Sequence, residues 1–143
     1  ACLGRGQLRV LDERLKQKRA IFRGYQERLM DLPGLRFQAE PQGFVSNHWL
    51  TCVLFPGHHD QALLTRERVR MALEAENIES RPLWKPMSMQ PLYKDAELVR
   101  TQEHVAGDLF ARGLCLPSGT QLTDADLDRI CAIFKRAVRE KAA

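Results

Sequence analysis

Several features that define membrane-spanning, secreted or metal-binding proteins are missing from this sequence of 143 residues. No apolar run approaches the roughly 20 residues that a membrane-spanning helix requires. The N-terminus has no long apolar stretch, so it does not read as a signal peptide. No two of the four cysteines have the C-x-x-C spacing of zinc and redox sites. We therefore expect a cytoplasmic protein with no membrane contact and no bound metal.

The cysteines are expected to be structural. Cys52 and Cys115 lie within apolar runs, and Cys131 lies on the apolar face of a predicted helix. These positions are typical of small buried hydrophobic residues in a reducing compartment. The sequence also lacks an initiator methionine, so we expect the chain to be part of a longer protein.

The positive charge of the chain is concentrated in one segment. Residues 1–30 hold eight basic and three acidic residues, whereas residues 31–143 hold 14 basic and 15 acidic residues. The formal net charge of +4 therefore comes from the first segment. Such a segment indicates a nucleic acid, an anionic membrane or an acidic partner, or only the solvated face of a helix.

The same segment has helical periodicity. Apolar residues form one narrow stripe over residues 7–31, which Pro33 and Gly34 end. The stripe consists of Leu8, Leu11, Leu15, Phe22, Tyr25 and Leu29. Because the stripe is narrow and the other faces are charged, we expect the helix to pack along one side against another domain or subunit.

The middle of the chain predicts strands followed by a helix. Residues 35–40 are a candidate short strand, and the apolar residues 48–55 are typical of a strand buried on both faces. Thr65 is a candidate N-cap for a helix that continues to Glu76. Asn77 fits the left-handed position that follows such a helix.

The second half of the chain completes a small mixed domain. Residues 79–93 contain three prolines and are not expected to be regular helix. A short helix is predicted over residues 103–112 and a strand over residues 114–116. Thr123 and Asp126 have capping-box spacing at the start of the last helix. The fold class predicted is α+β, with a small sheet covered by helices and entered through a long N-terminal helix.

Two short motifs are better explained by structure than by chemistry. His58 and His59 are adjacent and have no third ligand near them in sequence, so a polar loop is favoured over a metal site. The run 116–120 lacks the glycine spacing and the lysine of a phosphate loop. No serine lies in a nucleophile-elbow sequence.

The proline-rich segment is the best candidate for a binding site. Arg81 can hold a phosphate through two parallel hydrogen bonds, and Lys85 adds a second positive charge. Trp84 and Tyr93 offer flat faces to a base or sugar. Prolines fix the backbone at low entropic cost. The composition equally fits an anionic, partly planar ligand and a crossover whose aromatic residues fill the core.

Several motifs resemble the C-terminal part of the DegT/StrS-type aminotransferases, and the resemblance covers essentially the whole chain in the right order. The motifs are residues 81–91, the Gly-Leu-Cys-Leu-Pro-Ser-Gly-Thr run 113–120, residues 122–127, and the opening residues 1–8 followed by 12–14 and 18–19. The family resemblance implies the small C-terminal domain of a fold-type I transferase that depends on pyridoxal phosphate. Residues 1–32 would be a connecting helix from a cofactor domain that precedes them, and residues 33–143 the small α+β domain.

The same resemblance implies a reaction and partners. The full-length enzyme would be a cytoplasmic homodimer that moves an amino group, from glutamate, to C4 of a UDP-linked 4-keto-6-deoxy sugar in glycan or pilin glycosylation biosynthesis. The Schiff-base lysine of the family lies upstream, and no lysine here has a matching context. We therefore expect the chain alone neither to bind pyridoxal phosphate nor to transaminate, and we assign it no catalytic residue.

The substrate contacts implied are Arg81, Trp84 and Lys85, with Ser88 and Tyr93 as further members of the same loop. Relatives of this branch usually carry histidine where this chain has Ser88, and serine loses reach and titration near neutral pH. The alternatives from other classes are a basic nucleic-acid-binding module, whose affinity falls steeply with salt, and a non-catalytic interaction domain.

Overall fold

The computed structural model describes residues 2–99 and 104–140. Helix α1 spans Cys2–Arg9 and helix α2 spans Leu11–Leu29. The single helix predicted over residues 7–31 is therefore wrong at its N-terminal end, because Val10 leaves helical dihedral angles with φ −110° and ψ 8°. Apolar periodicity continues across a one-residue interruption of this kind, so the pattern does not reveal it.

The C-terminal half of α2 is part of the core of this domain. Ile21, Tyr25 and Leu29 are buried there, and the Tyr25 hydroxyl donates a hydrogen bond to the Pro117 carbonyl at 2.8 Å. The expectation that the apolar stripe packs against another domain is therefore wrong for this half. The apolar side chains towards the N-terminus, such as that of Leu8, are exposed.

Four short strands form one antiparallel sheet. Strand β1 is Arg36–Phe37, β2 is Thr51–Leu54, β3 is Arg81–Pro82 and β4 is Gly113–Leu116. Their order across the sheet is β1-β2-β4-β3. The two longest strands lie side by side at the centre.

Strand β2 is shorter than the predicted strand over residues 48–55. His48 has a φ of 45°, which extended backbone does not allow, so the strand begins only at Thr51. Thr51 and Val53 are fully buried, whereas Cys52 and Leu54 are half-buried. The prediction of burial on both faces is therefore wrong. We call the face that carries Cys52 and Leu54 the outer face of the sheet.

Three helices complete the domain. Helix α3 is His59–Glu74, α4 is Val105–Arg112 and α5 is Asp124–Arg139. Helix α5 packs against α2 and α3, and α4 packs against α3. The core lies between these helices and the inner face of the sheet, where Val53 and Leu114 are fully buried.

The predicted start of α3 at Thr65 is wrong. The helix begins six residues earlier, and the Thr65 hydroxyl donates to the Gln61 carbonyl of the preceding turn at 2.9 Å. The helix ends at Glu74, two residues before the predicted end at Glu76. The left-handed conformation predicted for Asn77 is confirmed with a φ of 59°, and the Ile78 amide donates to the Leu73 carbonyl at 2.9 Å.

The capping box of α5 is confirmed. The Asp126 amide donates to the Thr123 hydroxyl at 3.2 Å, and the Thr123 amide donates to the Asp126 carboxylate at 2.9 Å. The predicted start of α4 at Glu103 lies outside the described residues. Within residues 2–99 and 104–140, none of the helices combines the length and the apolar character needed to cross a membrane.

Candidate functional site

A groove lies beside the outer face of the sheet. It has a volume of about 640 Å³ and is open to solvent. We call it the tryptophan groove. Its lining residues are Trp49, Leu50, residues 79–85, Phe110 and residues 115–118. Three of the predicted substrate contacts, Arg81, Trp84 and Lys85, therefore lie together.

Two indole rings dominate one wall of this groove. The centroids of Trp49 and Trp84 are 5.9 Å apart and the rings are tilted by 39°. The side chains are exposed by 63% and 66%, which is unusual for such large apolar groups. Sequence reasoning missed Trp49, because it assigned this residue to the strand that ends at Phe55.

Lys18 on α2 holds the backbone on which Trp49 stands. Its Nζ donates to the Trp49 carbonyl at 2.9 Å and to the Ser118 carbonyl at 2.5 Å. These two carbonyls belong to the segment that enters β2 and the segment that leaves β4, so one ammonium group ties the two segments together at the same end of the sheet. Burial lowers the pKa of Lys18 from its usual value.

His48, the residue before Trp49, is also held in place by contacts with its neighbours. The buried His48 imidazole stacks on the Phe22 ring with centroids 3.8 Å apart, and its Nε2 lies 3.6 Å from the Glu40 carboxylate. Burial and the nearby Arg19 guanidinium lower the pKa of His48 below its usual value, against the opposing effect of Glu40. The lowered pKa favours the neutral imidazole, which packs on the Phe22 ring as an aromatic anchor.

Two further basic side chains of α2 form ion pairs within the domain. Arg28 donates to Asp124 at 2.9 Å and to Asp128 at 2.7 Å, which ties α2 to α5. Arg19 pairs with Glu40 at 3.1 Å. This part of the helix is therefore not only a solvated face, and the argument for a nucleic-acid surface is weaker.

The cations of the groove are available to a ligand in different degrees. The guanidinium of Arg81, which is 78% exposed, donates from Nε to the Glu79 carboxylate at 2.6 Å and from Nη2 to the same oxygen. Lys85 is exposed, and no ion pair to it occurs within the part of the chain that the structure describes. The groove therefore presents one open ammonium and one guanidinium that Glu79 already holds.

Ser88 and Tyr93 lie apart from the other three predicted contacts. They line a neighbouring depression of about 1010 Å³, together with the beginning of α4. Both belong to single turns of 3-10 helix, Met87–Met89 and Pro91–Tyr93, which confirms that residues 79–93 are not regular helix. The five predicted site residues thus line two adjacent cavities.

The lysines of the described residues differ in their surroundings from a Schiff-base lysine. A Schiff-base lysine must be positioned and activated in an enclosed site. Lys18 is committed to two carbonyls, and Lys135 is paired with Asp31 at 2.8 Å. The remaining lysines of residues 2–99 and 104–140 are exposed, namely Lys16, Lys85 and Lys94. The same residues contain no cluster of three or more His, Cys, Asp or Glu side chains that could hold a metal ion.

The family of the chain follows from a sequence comparison. The model of the DegT/DnrJ/EryC1/StrS aminotransferase family matches residues 1–135. The chain therefore belongs to this family. The family prediction made from the residues of the proline-rich loop and the segments behind it is confirmed.

Individual relatives match the chain over a part of their length. A protein of Bacillus subtilis that is named as a pyridoxal phosphate-dependent aminotransferase, EpsN, is 42% identical over 136 residues, which is 94% of this chain and 34% of EpsN. The GDP-perosamine synthase of Vibrio cholerae is 31% identical over 94% of this chain and 35% of its own. The chain spans about a third of the length of these relatives.

A solved structure confirms the predicted α+β fold class. A DegT DnrJ EryC1 StrS aminotransferase from Brucella abortus superposes with a TM-score of 0.77 at 24% identity. The superposition covers 94% of this chain and 34% of that chain.

Proposed function

We propose that this chain is the C-terminal, substrate-binding part of a cytoplasmic aminotransferase of nucleotide sugars that depends on pyridoxal phosphate. The observation that carries the proposal is the family match over residues 1–135. The reaction transfers an amino group from glutamate to C4 of a UDP-linked 4-keto-6-deoxy sugar, in the biosynthesis of glycans or of glycosylated pilin. The name of the Vibrio cholerae relative supports a nucleotide sugar as the substrate class.

The tryptophan groove binds the nucleotide end of this substrate. The ring centroids of Trp49 and Trp84 are 5.9 Å apart, which leaves no room for a base between the rings. A base therefore stacks on an exposed face of one ring. Lys85 follows Trp84 directly in sequence and lines the same groove, so we assign its ammonium to the diphosphate of the stacked nucleotide.

Arg81 binds the same diphosphate after its guanidinium leaves the Glu79 carboxylate. Its guanidinium is held by Glu79, and both side chains are largely exposed. A surface pair of this kind contributes little to stability, whereas a phosphate offers the guanidinium two parallel charge-assisted hydrogen bonds. Glu79 therefore keeps Arg81 oriented along the groove until an anion replaces it.

Ser88 and Tyr93 contact the sugar end. They follow the groove residues directly along the loop and line the adjoining depression. A serine at position 88 donates one short hydrogen bond and has no charge near neutral pH. Replacement Ser88→His is expected to change the KM for the nucleotide sugar or kcat in the intact enzyme. Unchanged values of both constants would remove Ser88 from the site.

This chain and a preceding cofactor domain together make up the enzyme, as the family pattern implies. Residues 1–32 connect the two parts, residues 33–143 form the small domain, and the enzyme acts as a homodimer. The exposed apolar residues of α1 and of the start of α2, including Leu3, Leu8 and Leu11, are consistent with a covered surface in the assembled enzyme.

The upstream sequence tests the reaction most directly. We expect the residues that precede Ala1 in the gene to encode a cofactor domain with a Schiff-base lysine. The joined protein should convert a 4-keto nucleotide sugar to its amino product with glutamate as donor. An upstream region without such a domain would contradict the proposal. The 143-residue chain alone should give no visible absorbance band with pyridoxal phosphate, and a band that borohydride removes would contradict that expectation.

A further inference from the structure

Two cysteines that are far apart in sequence meet at the centre of the outer face of the sheet. Cys52 on β2 lies directly opposite Cys115 on β4. Their Sγ atoms are 3.7 Å apart. The proposed function uses neither thiol, and the C-x-x-C spacing by which redox pairs are recognised in sequences is absent.

The strand register places this pair where a disulfide fits. The Phe55 amide donates to the Arg112 carbonyl at 2.9 Å, so Phe55 and Arg112 form a hydrogen-bonded pair of the β2–β4 ladder. Hydrogen-bonded and non-hydrogen-bonded pairs alternate, so Cys52 and Cys115, three positions further, form a non-hydrogen-bonded pair. Opposite Cα atoms in such pairs are about 4.5 Å apart, within the range of roughly 4.4–6.8 Å that a disulfide spans.

The two thiols differ in exposure. Cys52 is half-buried, whereas Cys115 is 7% exposed and lines the floor of the tryptophan groove. The contact between the two sulfurs lowers the pKa of Cys52, whereas the same contact and burial raise the pKa of Cys115. The more exposed sulfur is therefore also the one that more readily becomes a thiolate, which is the attacking species in exchange.

We propose that Cys52 and Cys115 form a thiol–disulfide exchange site for a low-molecular-weight disulfide of the glutathione class. The Cys52 thiolate attacks one sulfur of the reagent, its S–S bond breaks, and the first small thiolate leaves with the electron pair. Cys115 then loses its proton and attacks Cys52 Sγ, which releases the second small thiolate. The two protein protons are taken up by the two small thiolates, so two thiols are oxidised and one disulfide is reduced.

The bond would join the two central strands beside the groove. It would close a loop between residues 63 positions apart, which restricts the unfolded chain more than a short loop does. We therefore expect the oxidised protein to unfold at a higher denaturant concentration than the reduced protein. The proposal does not depend on the proposed aminotransferase function.

The test uses the purified chain with Cys2→Ser, which removes the exposed cysteine outside the pair. Cys131, which is buried on α5, stays as an internal control. After incubation with oxidised glutathione, we expect the intact mass to fall by two hydrogen atoms. Peptide mapping should place the linkage between Cys52 and Cys115 and find Cys131 as a free thiol. Circular dichroism should show the same secondary structure before and after oxidation.

Single variants in the same background separate the roles of the two sulfurs. Cys115→Ser is expected to stop at one glutathione bound to Cys52, whereas Cys52→Ser should react at least tenfold more slowly. Two free thiols after incubation, a stable mixed disulfide in the Cys2→Ser chain, or loss of secondary structure on oxidation would overturn the proposal. The mapping of the Cys2→Ser chain decides the question even where a single variant does not fold, because it leaves the pair intact.

Discussion

Removal of the ammonium group of Lys18 tests whether α2 stabilises the two segments that line the tryptophan groove on either side of it, at Trp49 and Ser118. Lys18 donates to the carbonyls of Trp49 and Ser118. Hydrogen bonds to charged groups contribute about 1.5–3 kcal/mol each, but Lys18 is partly exposed and its burial carries a cost that its lowered pKa reveals. We therefore expect Lys18→Met to lower the free energy of unfolding by about 2 kcal/mol in total.

This loss converts to a melting temperature through the entropy of unfolding. At about 2.1 cal/mol/K per residue, a chain of 143 residues unfolds with about 0.3 kcal/mol/K, so Tm should fall by about 7 °C. Urea denaturation followed by circular dichroism measures the free energy. Lys16→Met, which changes an exposed lysine of the same helix, is the matched control and should stay within about 0.5 kcal/mol of the parent. Equal losses in the two variants would refute the bridging role of Lys18.

Three further predictions concern caps, buried hydrogen bonds and pH. Thr123→Ala should cost about 1 kcal/mol of unfolding free energy, because it removes the side-chain acceptor of the α5 capping box, while Thr123→Ser should restore most of it; equal effects of the two substitutions would contradict this. Tyr25→Phe should cost about 1 kcal/mol, since the hydroxyl that bonds the Pro117 carbonyl is lost while the ring remains; a neutral result would refute this contribution of the hydroxyl. Stability should fall as the pH drops below 6.5, because the pKa of His48 is lower in the folded state and the unfolded state binds more protons there. The variant His48→Phe, which keeps a ring to stack on Phe22, should flatten this dependence in urea titrations at several pH values, and an unchanged slope would assign it to other groups.

The parts of the fold that the sequence predicts best are those whose partners lie within a few residues. The capping box of Thr123 and Asp126 joins groups three positions apart, and the left-handed Asn77 ends α3 within one turn. The same reasoning fails where the signal is not local. Helix α3 begins at His59 without a side-chain N-cap, so packing against α4 and α5 sets its start.

In the candidate site, too, local sequence signals are predictive and contacts between distant residues are not. Arg81, Trp84 and Lys85 share one loop, so their chemistry could be recognised from the sequence alone. Trp49 enters the groove only because His48 leaves the strand conformation, and that turn depends on contacts with α2. The meeting of two cysteines across β2 and β4 depends on strand register, which residue spacing does not encode.

Recognition of a nucleotide sugar by the tryptophan groove is the central claim, and the two tryptophans of the chain are its reporters because both line that groove. The direct measurement is an NMR titration of the two indole N–H signals with a UDP-sugar, and with GDP- and dTDP-sugars for comparison. We expect saturable shifts of the Trp84 signal. Arg81→Ala should weaken the affinity about tenfold, or about 1.4 kcal/mol, because the two hydrogen bonds to the phosphate replace the existing contact with Glu79 and only the difference is lost. Arg23→Ala, an exposed control on α2, should leave the affinity unchanged. Indole signals that do not move, or that move equally in both variants, would contradict the account.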